Sequence, residues 1–486
     1  MTAPAQPQRR HPADRAPRPQ APDEFADDFA SVLEATTADR STIGCVIAAC
    51  NEADSIGGAV RSLLEQSRVP DVIHVVVNNT SDATVAIASQ FAGPHEVATE
   101  LGAQFTEVFV HDIGDNPDRK VGALNYGYSL VEGYDYLLGV DADTRADRRA
   151  VEFLEGEAVS DSRIGGISAI CAVDDHPTAG AVAKWLVAGQ RSQVAASTMQ
   201  HLLRGRNAAV VGGQFSIFST TALRDAMTAN HQSVPWVKDC DVENAVLSLQ
   251  IKSAGYLTKI SPFARAAVRG RTTLAGYDAQ QTTWTYSAIE LMWPGERGDT
   301  RGQPLHPNLR VRWFEQLSML THLFVRLAFV ALVIASLSVD AFEFSPWWLI
   351  PLAVTTLVNL RVVRSMATAR ARDYAFALLV LPAEAFMWIR IRDFVRSWAR
   401  FFSKAKVDAW ARQVGVGGAD RGSGRVTALL LFSAAVAGTV VVWGRLDPAT
   451  QSTVLAACWP IVAGVIGLQT VVMACALFRR HHGYRV

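Results

Sequence analysis

The stretch Tyr-Asp-Tyr-Leu-Leu-Gly-Val-Asp-Ala-Asp-Thr, residues 134–144, decides how the chain is read. Its apolar run of Tyr136, Leu137, Leu138, Gly139 and Val140 is short and lacks polar alternation, the pattern of a strand buried on both faces. The run stops at Asp141-Ala142-Asp143. Two carboxylates one residue apart are expensive in a core unless something neutralises them. A divalent cation bridging to a diphosphate would do so, since Mg²⁺ and Mn²⁺ take one or two protein carboxylates together with phosphate oxygens. The carboxyl ends of strands are also where open α/β sheets hold their ligands. A strand-end turn with two solvated aspartates would show the same residues, so the surrounding sequence has to decide.

Upstream, Ile43–Ala49 is a second buried-strand run, broken by Cys50-Asn51-Glu52-Ala53-Asp54. Ile56, Val60, Leu63 and Leu64 then follow at helical spacing. Val72–Val77 reads as another strand and ends in Asn78-Asn79-Thr80-Ser81-Asp82. Repeated strand–loop–helix units predict an α/β domain with a parallel sheet and right-handed crossovers. These turns carry no GxGxxG or GxxxxGK loop, which speaks against dinucleotide and P-loop sites. Downstream, residues 184–203 read as a helix, and Gly212-Gly213-Gln214 follows a short apolar run. Adjacent glycines let a ligand approach the backbone, or simply form a tight turn. Residues 236–243 lead into a helix through Val246, Leu247, Leu249 and Ile251. Asp239 and Asp241 therefore sit near a helix start, where Asp241 fits an N-cap.

The 486 residues predict more than one domain, and 46 basic against 46 acidic residues give no global attraction to nucleic acid. Six cysteines without a CxxC pair argue against a zinc ribbon or a disulfide framework. Residues 1–38, rich in Pro, Ala, Arg and Asp, are expected to be a disordered tail. A domain over 39–300 and a membrane region over 301–486 follow from the shift to apolar composition. Segments 317–338, 342–360, 426–443 and 454–478 are near or above the length that crosses a bilayer. Segments 361–372 and 390–425 and the tail after Phe478 are basic, which predicts four spans with the first domain and both termini cytosolic, in the cell (plasma) membrane. Residues 375–388, with Pro382 and Glu384, are expected to form an interfacial helix, and 309–316 a separate amphipathic tether. Arg326 falls inside the first span, where it would snorkel to headgroups or line an acceptor path.

The ordered set Ala48-Ala49-Cys50-Asn51-Glu52, then residues 75–82 (VVVNNTSD), Lys120-Val121-Gly122-Ala123-Leu124-Asn125 and Asp141-Ala142-Asp143 resembles the inverting family 2 glycosyltransferases of GT-A fold. The likeness continues through Gly212-Gly213-Gln214 and Lys238-Asp239-Cys240-Asp241, over about residues 41–290. It implies a nucleotide-sugar donor, UDP-linked rather than GDP-linked, and a glycan or lipid-linked acceptor. It also implies Mg²⁺ or Mn²⁺ on Asp141 and Asp143. Asn51, Glu52, Asp82, Lys120 and Asp141 would line the nucleotide-sugar pocket. Gly213, Gln214, Asp241, Gln280 and Trp284 would face the acceptor, and Asp239 would be the general base. Lys120 on a solvated loop is the other reading of that residue. Departures are Ala48-Ala49-Cys50 in place of Pro-x-Tyr, Lys238 in place of Glu, and Thr283 where processive members carry Arg. The resemblance allows an exported polysaccharide, a single transfer to a polyprenyl-phosphate-type carrier, or a catalytically dead glycan-binding or transport subunit.

Overall fold

The computed structural model describes residues 40–100, 102–174, 180–238, 243–293, 309–403, 437–479 and 483–486. The chain divides into two compact units. One comprises 1–176, 194–270 and 480–486, and the other 177–193 and 271–479.

The first unit is built on a nine-stranded sheet among the described residues. Its strands are β1 (Ile43–Ala49), β2 (Val72–Val77), β3 (Gly93–Thr99), β4 (Gly102–Asp112), β5 (Tyr136–Asp141), β6 (Thr144–Ala146), β7 (Ile164–Val173), β8 (Phe215–Ser219) and β9 (Leu257–Val268). Their order is β3-β4-β2-β1-β5-β8-β7-β9-β6. The central strands β4, β2, β1 and β5 run parallel, as the apolar runs of β1, β2 and β5 imply. The sheet as a whole is mixed, not parallel, because β8 pairs antiparallel with both β5 and β7 and β3 pairs antiparallel with β4. The β3–β4 pair ends with Thr99 opposite Gly102, and antiparallel neighbours need no crossover helix. Helices Ile56–Leu64 and Ala150–Ser160 cover one face and Arg119–Val131 and Glu243–Ser253 the other, giving two apolar clusters, one around Ile47, Val75, Leu138 and Phe215 and one around Val46, Val76, Leu137 and Trp236. Alternate residues of β1 and β2 feed the two clusters, which is why these strands read as continuously apolar. This is a mixed α/β domain.

The second unit is helical. Arg312–Ser338, Pro346–Ser365 and Pro448–Phe478 are long and apolar enough to cross a membrane. The span expected over 426–443 lies largely outside the described residues. The amphipathic tether expected over 309–316 is not separate, because Arg310–Ser338 is one continuous helix with no Gly or Pro to interrupt it. The interfacial helix expected over 375–388 is two helices, Ala371–Leu378 and Val380–Phe402, bent by 81°. Pro382 accounts for the break: it cannot donate to residue 378 and is tolerated only in the first turn of a new helix. Leu378, Leu379 and Leu381 at the bend are solvent-facing. Trp348 stacks on Trp459 (centroids 5.3 Å), Trp459 Nε1 donates to Ser336 Oγ at 3.0 Å, and Arg361 donates to the carbonyls of Ala476 and Arg479. These contacts join the three long helices, and Arg361 satisfies carbonyls that the last helix leaves open. Arg326 is held bidentately by Glu384, with His322 Nδ1 at 3.1 Å from its Nη1.

Candidate active site

The parallel register sets Asp141 opposite Ala48, and Ala49 opposite Val77, so the loops after β1, β2 and β5 emerge at one edge. Asn51, Glu52, Asp82 and Asp141 gather there, as the strand-end reading predicts. The β1 and β2 loops are stitched together. The Asn51 N–H donates to Thr80 Oγ1 (2.9 Å), Ser81 N–H to Asn51 Oδ1 (2.9 Å) and Glu52 N–H to Thr84 Oγ1 (2.8 Å). Asp82 accepts from the N–H groups of Ala53 (3.1 Å) and Thr84 (2.9 Å) and from the Thr84 hydroxyl. Its slight burial would raise its pKa, but the Thr84 and Ala53 hydrogen bonds hold it below the ordinary value. Asn51, Asn79 and Arg119 take left-handed backbone conformations (φ 53°, 50° and 52°), which asparagine tolerates and arginine adopts rarely.

Lys120 lies in the first turn of helix Arg119–Val131 and reaches Asp141. Its Nζ is 2.7 Å from Asp141 Oδ1 and 3.4 Å from Glu243 Oε1. The solvated-loop reading of Lys120 is therefore displaced. Burial works against its charge, but Asp141, Glu243 and Asp143 keep its pKa well above the ordinary lysine value. Burial, and then Asp141 and Asp143, push the Cys171 thiol up to about 12, so the sulfur beside these carboxylates stays protonated.

Glu243 opens helix Glu243–Ser253 and is only 8% exposed. Burial raises its pKa against the pull of Lys120. Its Oε1 also accepts from Asn244 Nδ2 (2.9 Å), and Asn244 Oδ1 accepts from Trp236 Nε1 (3.1 Å). Trp236, 1% exposed, exchanges both backbone groups with Asn125: its N–H donates to Oδ1 (3.0 Å) and its carbonyl accepts from Nδ2 (2.8 Å). One helix thus carries both Lys120 and Asn125, and the polar chain closes on itself through Glu243, Asn244 and Trp236. Lys238 pairs with Asp118 at 2.6 Å. Asp239 and Asp241 lie outside the described residues, between Lys238 and Glu243.

Gly213 lies close under Asn244: a Cβ there would meet Asn244 Nδ2 at 2.4 Å and force that side chain to move. The Gln214 carbonyl accepts from Asp141 N–H (3.0 Å), which ties the glycine turn to the strand end. Gln280 and Trp284 are on helix Leu274–Met292 of the second unit, with Trp284 46% exposed. Sequence reasoning missed Glu243, Asn244 and Asn125 as site residues. Glu243 stands 123 residues from Lys120 and carries no local signature, so nothing in the sequence pairs the two.

Among the described residues no group of three or more His, Cys, Asp or Glu side chains forms a ready-made metal cage. Asp141 and Asp143 suit an ion that draws its remaining oxygens from a diphosphate and water. Three carboxylates (Asp141, Asp143, Glu243) against one ammonium leave two formal negative charges, which matches a divalent cation.

Residues 45–225 match the profile of glycosyl transferase family 2. The poly-beta-1,6-N-acetyl-D-glucosamine synthase of Staphylococcus epidermidis is 20% identical over 302 residues, 61% of this chain and 66% of that protein. The like-named synthase of Staphylococcus aureus strain MSSA476 is 22% identical over 247 residues, 51% of this chain and 54% of that protein. The chain thus spans just under two thirds of the first and about half of the second. A mannosyltransferase of Pyrobaculum calidifontis, solved in complex with GDP-Man and Mn²⁺, shares 13% identity at a TM-score of 0.45, over 79% of this chain and 96% of that one.

Proposed function

From the premise that the chain belongs to glycosyltransferase family 2, we propose that it is a membrane-anchored, metal-dependent transferase. It moves a sugar, with inversion, from a nucleoside-diphosphate sugar, UDP-linked, to a glycan or lipid-linked acceptor. The observation that carries this reading is the Lys120–Asp141–Glu243 cluster at the carboxyl end of a buried strand, inside or beside the family-matched segment. An ammonium balanced on two carboxylates, next to a third carboxylate, is charge machinery suited to a diphosphate. Asn51, Glu52 and Asp82 would hold the nucleoside, and Lys120 the diphosphate as a compact positive charge. A divalent cation on Asp141 and Asp143 would offset the charge that builds on the departing nucleoside diphosphate. Asp239 would take the acceptor hydroxyl's proton while that oxygen bonds to the anomeric carbon and the carbon–phosphate-oxygen bond breaks on the opposite face. The anchored Trp236 and the Lys238–Asp118 pair support a fixed approach to Asp239. Gly213, Gln214, Asp241, Gln280 and Trp284 would meet the acceptor, the exposed Trp284 by stacking on a sugar face.

The relatives' names support a polysaccharide product, exported by an enzyme whose catalytic unit faces the cytosol of the cell membrane. Arg361 and Arg364 near the end of one long helix and Arg479 after another support that orientation. Thr283 in place of the arginine of processive members favours a second reading, a single transfer to a lipid carrier. The test is incubation of membranes holding the full chain with a panel of labelled nucleotide sugars, with and without Mn²⁺. Metal-dependent label in a long glycan is expected. Label in a chloroform-soluble lipid selects the second reading, and no transfer or hydrolysis with any donor overturns both.

A further inference from the structure

Lys120 has two carboxylate partners, and they differ in what a ligand would ask of them. Asp141 stands at the strand end beside Asp143, where the proposed cation belongs. Glu243 stands behind, nearly buried, and is fixed by Asn244, which is fixed in turn by Trp236. The ammonium is in contact with Asp141 at 2.7 Å and only near Glu243 at 3.4 Å. A cation and an ammonium compete for the same Asp141 carboxylate. If Lys120 could only withdraw into a desolvated pocket without a counter-charge, displacing it would be costly.

We propose that Glu243 is a positioning residue that receives the Lys120 ammonium when Asp141 turns to a divalent cation. Glu243 thereby lowers the penalty of loading the site and keeps Lys120 aimed at the diphosphate. This rests on the transferase reading above, where Glu243 counts only as a charge, and gives it a role of its own. Glu243 acts through Lys120, its contacts being the ammonium and Asn244. The rigidity of its support explains why it can do so: the Asn244–Trp236–Asn125 chain returns to the same helix that carries Lys120.

The experiment is a double-mutant cycle on the full chain in detergent, reading Mn²⁺ affinity in the presence of saturating UDP and without any sugar acceptor. Free Mn²⁺ is followed by its electron paramagnetic resonance signal, so turnover is not needed. Glu243→Gln keeps shape and its acceptor oxygen for Asn244, and is expected to weaken Mn²⁺ binding roughly tenfold, within the 5–150-fold typical of coupled sites. Glu243→Asp should fall between Gln and wild type. In a Lys120→Met background, Glu243→Gln should have almost no effect, because the competing ammonium is gone. An equal loss with and without Lys120 overturns the proposal, since a merely structural glutamate would behave that way. So does unchanged affinity in the single variant. Should the wild-type chain bind neither Mn²⁺ nor UDP, the transferase reading itself fails, and the two failures are told apart.

Discussion

Replacing Asn125 by Ala tests whether the site is held by the helix that carries Lys120. The side chain makes two hydrogen bonds, at 2.8 and 3.0 Å, to the backbone of Trp236, and both residues are buried (9% and 1% exposed). Removing it leaves one N–H and one carbonyl without partners in a place that water reaches poorly. At about 1–3 kcal/mol for each orphaned buried group, the loss is about 2–6 kcal/mol. The lower figure alone is roughly a 30-fold change in an equilibrium constant. In a unit of this size about 2 kcal/mol corresponds to a drop of about 4–8 °C in melting temperature. The loss falls on the segment leading to Asp239 and not on the β1–β2 loop stitching. Turnover should therefore fall by at least about tenfold, while donor affinity changes by less. The assays are a thermal melt of the detergent-solubilised chain, UDP binding by calorimetry, and initial rates of transfer. A variant that melts and turns over like wild type would refute the anchoring role. One that loses donor affinity as much as turnover would show that the two halves of the site are not separately supported.

Asp141→Asn or Asp143→Asn should abolish metal-dependent turnover while the chain still folds and inserts, as read by size-exclusion chromatography; full activity in both would sink the metal assignment. Asp239→Asn should bind UDP normally and turn over at least about a hundredfold slower. Asp241→Asn, which can still cap a helix, should keep most of its rate, and the reverse pattern would move the base to Asp241. Reporter fusions after Gly415 and after Val486 should both report cytosol, and an external reporter at the first position would mean that the bent helix pair crosses the bilayer. Burial, and then the neighbouring His111, hold the His74 pKa down at about 4. The unfolded chain takes up that proton near pH 6.5, so the unfolded state binds more protons below that value and stability falls from about pH 6.5 to about 4. His74→Phe should flatten that slope of melting temperature against pH.

The sequence by itself determined what is local. Uninterrupted apolar runs ending in clusters of Asn, Asp and Thr gave the parallel central strands and the edge at which Asn51, Asp82 and Asp141 meet, because strand burial and strand-end polarity are written in consecutive residues. Long apolar stretches marked, for the same reason, the three described helices that are long and apolar enough to cross a membrane. Pairing direction was not legible: β8 runs against β5, and no residue in Phe215–Ser219 says so, since an apolar strand fits either ladder. The partners of Lys120 and Asn125 were not legible either. Glu243 is 123 residues from Lys120 and Trp236 is 111 from Asn125. Only the tertiary structure, by packing helix Glu243–Ser253 and helix Arg119–Val131 against the same sheet face, brings these groups within hydrogen-bonding reach. An ion pair acts over a few ångströms of space and leaves no periodic trace along the chain.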